Sequence, residues 1–343
     1  MRQVTIQSSL IGKNSAFQML ALATAVKMPL LINGEKGTAK TATVLDFASS
    51  MGNSKEESFI IELSEGTKVS HLLGQPDMKA LMVEKDWRMN RPIATAKTVV
   101  INEVDKASSG IRNAMLSIMA EKEIFDGGDR VSCNWETFVA TSNEIPKGEE
   151  SLPFWDRLVL RYEMQTVTNA DKVKFMKDRS VKNVMTINIP TLEQIYATDC
   201  NYEYIEKMLN LIEHHKLNIS DRTKTKLDVL VKAAMIVYEM SEEDAVIKVA
   251  QLVATPIVGD LGKSLLPIEI SNFKSSLEMF NQATKSGSNG NRVGMMTAYT
   301  QLQSALKLID KKPTLKSKYY ADYSVLVDNC LTAMEDSKPK MEE

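Results

Sequence analysis

Gly34-Glu35-Lys36-Gly37-Thr38-Ala39-Lys40-Thr41 lies between a short apolar run, Pro29-Leu30-Leu31-Ile32, and a stretch with helical periodicity, Thr41 to Met51. A glycine-bearing turn between a buried strand and a helix is the setting that a phosphate loop needs. Glycines let the backbone curl until successive N–H groups face one point. The helix start adds partial positive charge at that point. Lys40 is placed to reach outer phosphates, and the Thr41 hydroxyl to ligate Mg2+. Glu35, Lys36, Gly37, Thr38 and the following Ala42 complete the stretch. Ala39 stands where the pattern GxxxxGK[ST] has glycine, and it costs little provided its φ stays negative. The bland alternative is an ordinary glycine turn with an exposed lysine.

Outward from this loop the first half of the chain alternates strands and helices, an α/β rhythm. Phe17 to Val26 reads as a helix with one apolar side. Phe59 to Leu63, Thr98 to Ile101 and Thr137 to Thr141 read as further strands, and residues around 158–164 as a fifth. Thr98-Val99-Val100-Ile101 is apolar throughout, as a strand covered on both faces is. Ile111 to Ala120 reads as a helix. Beyond about residue 165 helical patterns dominate: Leu192 to His214, Arg222 to Tyr238 and Glu242 to Val253. Three more apolar stripes at spacings of three and four follow, from Ile270, Met295 and Tyr319, as in a small bundle. The expected domains are an α/β core over 1–164, a helical lid over 165–260, and a helical bundle with a tail over 261–343.

The near-neutral net charge of −2 gives no global field toward nucleic acid or an acidic membrane surface. Three cysteines, Cys133, Cys200 and Cys330, lie far apart without a CxxC pair, which argues against a disulfide framework or zinc cage. His71, His214 and His215 lack convergent partners for a metal. The start MRQVTIQSSL lacks the apolar stretch of a signal peptide, and no run approaches a membrane span. The expected location is cytoplasmic.

A nucleotide loop needs acidic groups at a neighbouring strand end. Val99-Val100-Ile101-Asn102-Glu103 offers Glu103 to orient and polarise an attacking water. Asn102 stands where an aspartate would hold the Mg2+ shell; its oxygen accepts hydrogen bonds but carries no charge. Were the strand to continue, Glu103 and Asp105 would share a face; the alternative is a helix-start cap with solvated charges. Asn143, after Val139-Ala140-Thr141-Ser142, is a candidate for positioning water or γ-phosphate, or simply a turn former.

The order GEKGTAKT, VVINEVDKA, FVATSNEIP, PFWDRLVLR and ISDR resembles the MoxR branch of the AAA+ ATPases over about residues 3–255, closest to the RavA type. The resemblance implies an α/β P-loop AAA+ core, with a parallel sheet between helices, followed by an all-α lid and a C-terminal helical bundle. It implies ATP and Mg2+ as cofactors, and it accommodates alanine before the loop lysine. It makes Asn143 the first sensor, Arg157 the arginine finger with Arg161 as competitor, and Arg222 the second sensor. The bland reading of each arginine is a surface ion pair. A finger supplied in trans requires head-to-tail packing, and so a closed homo-oligomeric ring, a hexamer by resemblance. A partner with a von Willebrand factor A domain and a protein client are implied as well. The hairpin over Glu123 to Trp135 resembles the one that precedes the family's sensor strand. Asn102 departs from the family's usual aspartate and puts turnover in doubt. Three functions follow: a remodelling or chaperone-like ATPase, a nucleotide-bound structural ring with weak turnover, and a nucleic-acid motor. The motor would rest on Lys79, Lys85, Arg88, Arg91 and Lys97 around Trp87, which otherwise read as a solvated hairpin.

Overall fold

In the computed structural model the described residues are 1–253, except 86–88, 127–128, 144–151, 168–171, 174–175, 178–181 and 215–218. The chain divides into two compact units, Met1–Val258 and Gly259–Glu343. The three apolar stripes expected in the second unit lie outside the described residues.

A parallel five-stranded sheet with order β10-β2-β9-β6-β3 forms the centre of the first unit. Its strands are β2 (Leu30–Asn33), β3 (Ser58–Glu62), β6 (Thr98–Asn102), β9 (Thr137–Ser142) and β10 (Leu160–Glu163). β9 is buried at every position and β6 at all but its last, because both faces are covered. The strand that follows β2 in sequence, β3, lies at the far edge rather than beside it. The connections that leave the adjacent strands β2 and β9 run toward opposite edges, to β3 and to β10, and the crevice beyond the carboxyl ends of the strands opens between them.

The helices that close the faces are α1 (Asn14–Val26), α2 (Lys40–Ser50), α3 (Val69–Leu73), α4 (Pro92–Thr95), α5 (Ser109–Ala120) and α6 (Leu152–Arg157). α1 is not one-sided as its sequence suggests. Every residue from Met19 to Val26 is buried, since the helix is enclosed by α2, β9, β11 (Asn183–Ile189) and the helix Leu227–Tyr238. α5 covers the other face, where Ile111, Met115 and Ile118 meet Val99, Ile101, Phe138 and Trp135. Trp135 is buried, its Nε1 donates to the Ile118 carbonyl at 3.1 Å, and its ring lies 5.5 Å from that of Phe138. Truncating such a side chain to alanine costs about 3–5 kcal/mol, so this cluster sets the height of α5 on the sheet.

β11 pairs antiparallel with β1 (Arg2–Ser8), from Arg2 opposite Ile189 to Ser8 opposite Asn183. Sequence reading finds neither strand. β4 (Gln75–Pro76) pairs with β5 (Met89–Asn90), and β7 (Glu123–Asp126) with β8 (Asp129–Ser132), the latter as the expected hairpin.

The helix expected over Leu192 to His214 is two helices, α7 (Leu192–Ala197) and α8 (Tyr202–His214). Short polar side chains compete with the backbone ladder at the break. Asn201 Oδ1 accepts from the Glu203 N–H at 3.1 Å, and the Glu242 carboxylate accepts from the Cys200 thiol at 3.2 Å. The next helix is likewise split, into α9 (Asp221–Lys224) and α10 (Leu227–Tyr238); α11 spans Glu242–Val253. No described helix is long and apolar enough to cross a membrane.

Candidate functional site

The loop after β2 is curled. Gly34, Gly37 and Ala39 have φ of 156°, 79° and 64°. Ala39 is thus left-handed, contrary to the negative φ that the sequence reading required. It is the residue before α2, and no side chain caps that helix. The first amides of α2 have no intrahelical acceptor, as at any helix start, and remain for an anion. Gly37 leaves open space where a side chain would begin, with no atom within 4 Å of its hypothetical Cβ. Gly34 is needed for a different reason: a Cβ there would lie 2.8 Å from the Met164 carbonyl oxygen.

Lys40, Thr41 and Asn143 come together at one cavity. Lys40 Nζ donates to Asn143 Oδ1 at 2.9 Å and to the carbonyls of Gly34 and Glu35 at 2.7 and 3.0 Å. Burial lowers the Lys40 pKa, and the charges of Asp105 and Glu103 oppose that shift. Thr41 Oγ1 donates to Asn102 Oδ1 at 2.8 Å, and Thr141 Oγ1 donates to the same oxygen at 2.9 Å. A cavity of about 390 Å3 is lined by Lys36 to Ala42 together with Glu62, Asn102, Glu103, Thr141, Ser142 and Asn143. Sequence reading missed Glu62, Thr141 and Ser142, which reach the cavity because their strands end side by side.

Glu103 and Asp105 do not share a strand face. β6 ends at Asn102, Glu103 turns into the left-handed region at φ 54°, and a 3-10 turn runs over Val104–Lys106. Glu103 lines the cavity and its carboxylate pairs with Lys106. Asp105 accepts from Ser142 Oγ at 2.7 Å.

The arginines stand elsewhere. Arg157 and Arg222 line a second cavity of about 540 Å3, with Lys27, Lys122, Asp156, Ser220 and Lys226 among its other walls. Asp156 Oδ1 accepts from the Ser220 N–H at 3.2 Å, which ties the end of α6 to the start of α9. Among the described residues none lines both cavities. Arg161 lines neither: its Nη2 donates to the Trp155 carbonyl at 3.1 Å, and burial lowers its pKa against the pull of Asp156. Lys122 joins this second wall unannounced by any motif. Its Nζ sits 3.6 Å from the centre of the Trp135 ring and donates to the Trp135 carbonyl at 2.8 Å.

The basic cluster is dispersed in part. Lys97 is paired with Glu57 at 2.6 Å, and Arg91 Nη1 donates to the Leu73 carbonyl at 3.2 Å. Lys79 and Lys85 are exposed, while Trp87 and Arg88 lie outside the described residues. Among the described residues no group of three or more His, Cys, Asp or Glu side chains is arranged to hold a metal on its own.

Comparison with known proteins agrees with the parallel sheet and its loop. Residues 2–189 match a family model described as the MoxR domain in the MoxR-vWA-beta-propeller ternary systems. The chain is 22% identical over 237 residues to structural protein ORF618 of the Acidianus two-tailed virus, covering 68% of this chain and 38% of that protein. It is 28% identical over 200 residues to an uncharacterized protein of Methanocaldococcus jannaschii, covering 55% of this chain and 52% of that one. The chain thus spans about half or less of these relatives. The crystal structure of a proposed ATPase from Cytophaga hutchinsonii superposes with a TM-score of 0.55 at 16% identity, over 72% of this chain and 82% of that one. That likeness is one of fold, the α/β P-loop AAA+ fold.

Proposed function

Because the chain belongs to the family of MoxR domains found in MoxR-vWA-beta-propeller ternary systems, we propose that it binds ATP and Mg2+ and hydrolyses ATP within a homo-oligomeric ring. The observation that carries the ring is the separation of the two cavities. The phosphate loop, Glu103 and Asn143 line one; Arg157 and Arg222 line the other. Among the described residues no arginine lines the nucleotide cavity of a single copy, and a head-to-tail neighbour supplies them.

The residues fit the nucleotide. The curled loop and the α2 start receive the phosphates, and Lys40 leaves the carbonyls of Gly34 and Glu35 for the outer ones. Thr41 would hold Mg2+, which would supply positive charge to the phosphates. Glu103 orients and polarises water once it parts from Lys106. Asn143 positions the γ-phosphate, and Arg157 and Arg222 of the adjacent copy stabilise charge on the transferring group. Arg161, held by the Trp155 carbonyl, is not assigned the finger role.

In this reading the ring acts on a protein client in the cytoplasm, with a von Willebrand factor A protein as partner and six copies as the expected number. The RavA-type likeness rests on the order of sequence motifs alone. A second reading, a nucleotide-bound structural ring, is favoured by the uncharged Asn102. Mixing inactive variants tests both. Lys40→Ala and Arg157→Ala should each lose nearly all turnover, since a finger contributes about 10³–10⁵ in rate. Mixed, they should regain a fraction of it, because mixed rings hold interfaces with an intact Lys40 and an intact Arg157. No recovery would sink the shared site; absence of phosphate release by the wild-type ring would favour the structural reading.

A further inference from the structure

We propose that Glu62 supplies the carboxylate of the Mg2+ shell that Asn102 lacks. The inference rests on the nucleotide reading of the loop and adds a residue that no motif marks. Glu62 ends β3 directly opposite Asn102 in the parallel register of β3 with β6. Registered neighbours in a sheet direct their side chains to the same face. Glu62 lines the cavity that holds Lys40, Thr41 and Asn102.

Asn102 is poorly suited to a metal's water. Water bound to Mg2+ donates hydrogen bonds outward and needs acceptors. The amide oxygen of Asn102 already accepts from Thr41 at 2.8 Å and from Thr141 at 2.9 Å. Those two bonds use both its lone pairs, and its amide nitrogen only donates. The nearby carboxylates are engaged: Glu103 is paired with Lys106, and Asp105 accepts from Ser142. Among the described residues Glu62 makes no hydrogen bond or ion pair, its charge acting on Lys106 only from a distance, and it is exposed where it lines the cavity. Neighbouring strands lie about 4.8 Å apart, a gap that a glutamate side chain and one metal-bound water span. Mg2+ is commonly held by one or two carboxylates with substrate phosphates and retained waters. Here the negative charge stands one strand away from its usual position.

The test is Mn2+ binding to the full-length protein with ADP, read from the electron paramagnetic resonance signal of free Mn2+. Glu62→Gln should weaken Mn2+ binding about 10- to 100-fold, the range for loss of an outer-shell partner. Metal-free ADP binding should stay as in the wild type, which shows that the variant is folded. Asn102→Asp added to Glu62→Gln should restore the Mn2+ affinity, a rescue that mere structural damage would not allow. Asp105→Asn should leave it unchanged. Wild-type Mn2+ affinity in Glu62→Gln, failure of the rescue, or transfer of the loss to Asp105→Asn overturns the assignment while leaving the nucleotide reading intact. A wild-type protein that binds no nucleotide at all overturns both.

Discussion

Replacing Ala39 by glycine should stabilise the folded protein, or at worst leave it unchanged. Ala39 sits at φ 64° and ψ 33° immediately before α2. An L-residue pays about 1–2 kcal/mol for the left-handed region because its Cβ crowds the following carbonyl. Glycine escapes that strain but loses more freedom on folding, which costs about 0.4–1 kcal/mol through the unfolded chain. The difference favours glycine by about 0–1.5 kcal/mol. For a unit of this size each kcal/mol moves the thermal midpoint by about 2–4 °C, so thermal unfolding of the nucleotide-free protein should show Ala39→Gly at or a few degrees above the wild type. Ala39→Val supplies the opposite sign, since a β-branched side chain is the worst occupant of this region. A midpoint for Ala39→Gly several degrees below the wild type would refute the reasoning. It would mean that the loop is not curled through a strained alanine, and the cradle for phosphate would lose its geometric basis.

Gly34→Ala should behave differently, because its Cβ would meet the Met164 carbonyl at 2.8 Å and Met164 N–H bonds to the Asn33 carbonyl at 2.7 Å. Chemical denaturation should show a loss of about 1–3 kcal/mol, as for overpacked positions; an unchanged midpoint would mean that β10 does not close over the loop. Lys122 should give a pH dependence. Burial holds its pKa at about 8 against an ordinary 10.5, although the Trp135 ring and carbonyl favour its charged form. The unfolded chain keeps that proton up to the ordinary value, whereas the folded chain sheds it near 8. Stability should therefore rise with pH across that window, reduced by solvent screening because the side chain is only half buried. Compared with Lys122→Met, the wild-type thermal midpoint should climb between about pH 8 and about pH 10.5; parallel curves would remove the effect.

The parallel sheet was legible because its central strands are unbroken apolar runs: Thr98 to Ile101 and Thr137 to Thr141 leave no polar position for solvent. β1 and β11 were not, because each is only half buried and each has its partner at the other end of the unit. In β1 only Val4, Ile6 and Ser8 are buried, an alternation three residues deep. Nothing local announces that Arg2 will face Ile189. The same limit divides the site. Lys40, Thr41, Asn102 and Asn143 could be read because each closes an apolar strand or opens a helix, and sequence shows strand ends well. The left-handed turn at Glu103, which sends its carboxylate to Lys106, depends on where β6 stops. Glu62 was invisible for a further reason: its meaning lies in the register of two strands forty residues apart, Glu62 with Asn102. A neutral residue at a position expected to be acidic looks like a defect when each strand is read alone. With the strands side by side, the neutral amide and the unpaired carboxylate line one cavity, and the pair together carries the charge that Asn102 alone lacks.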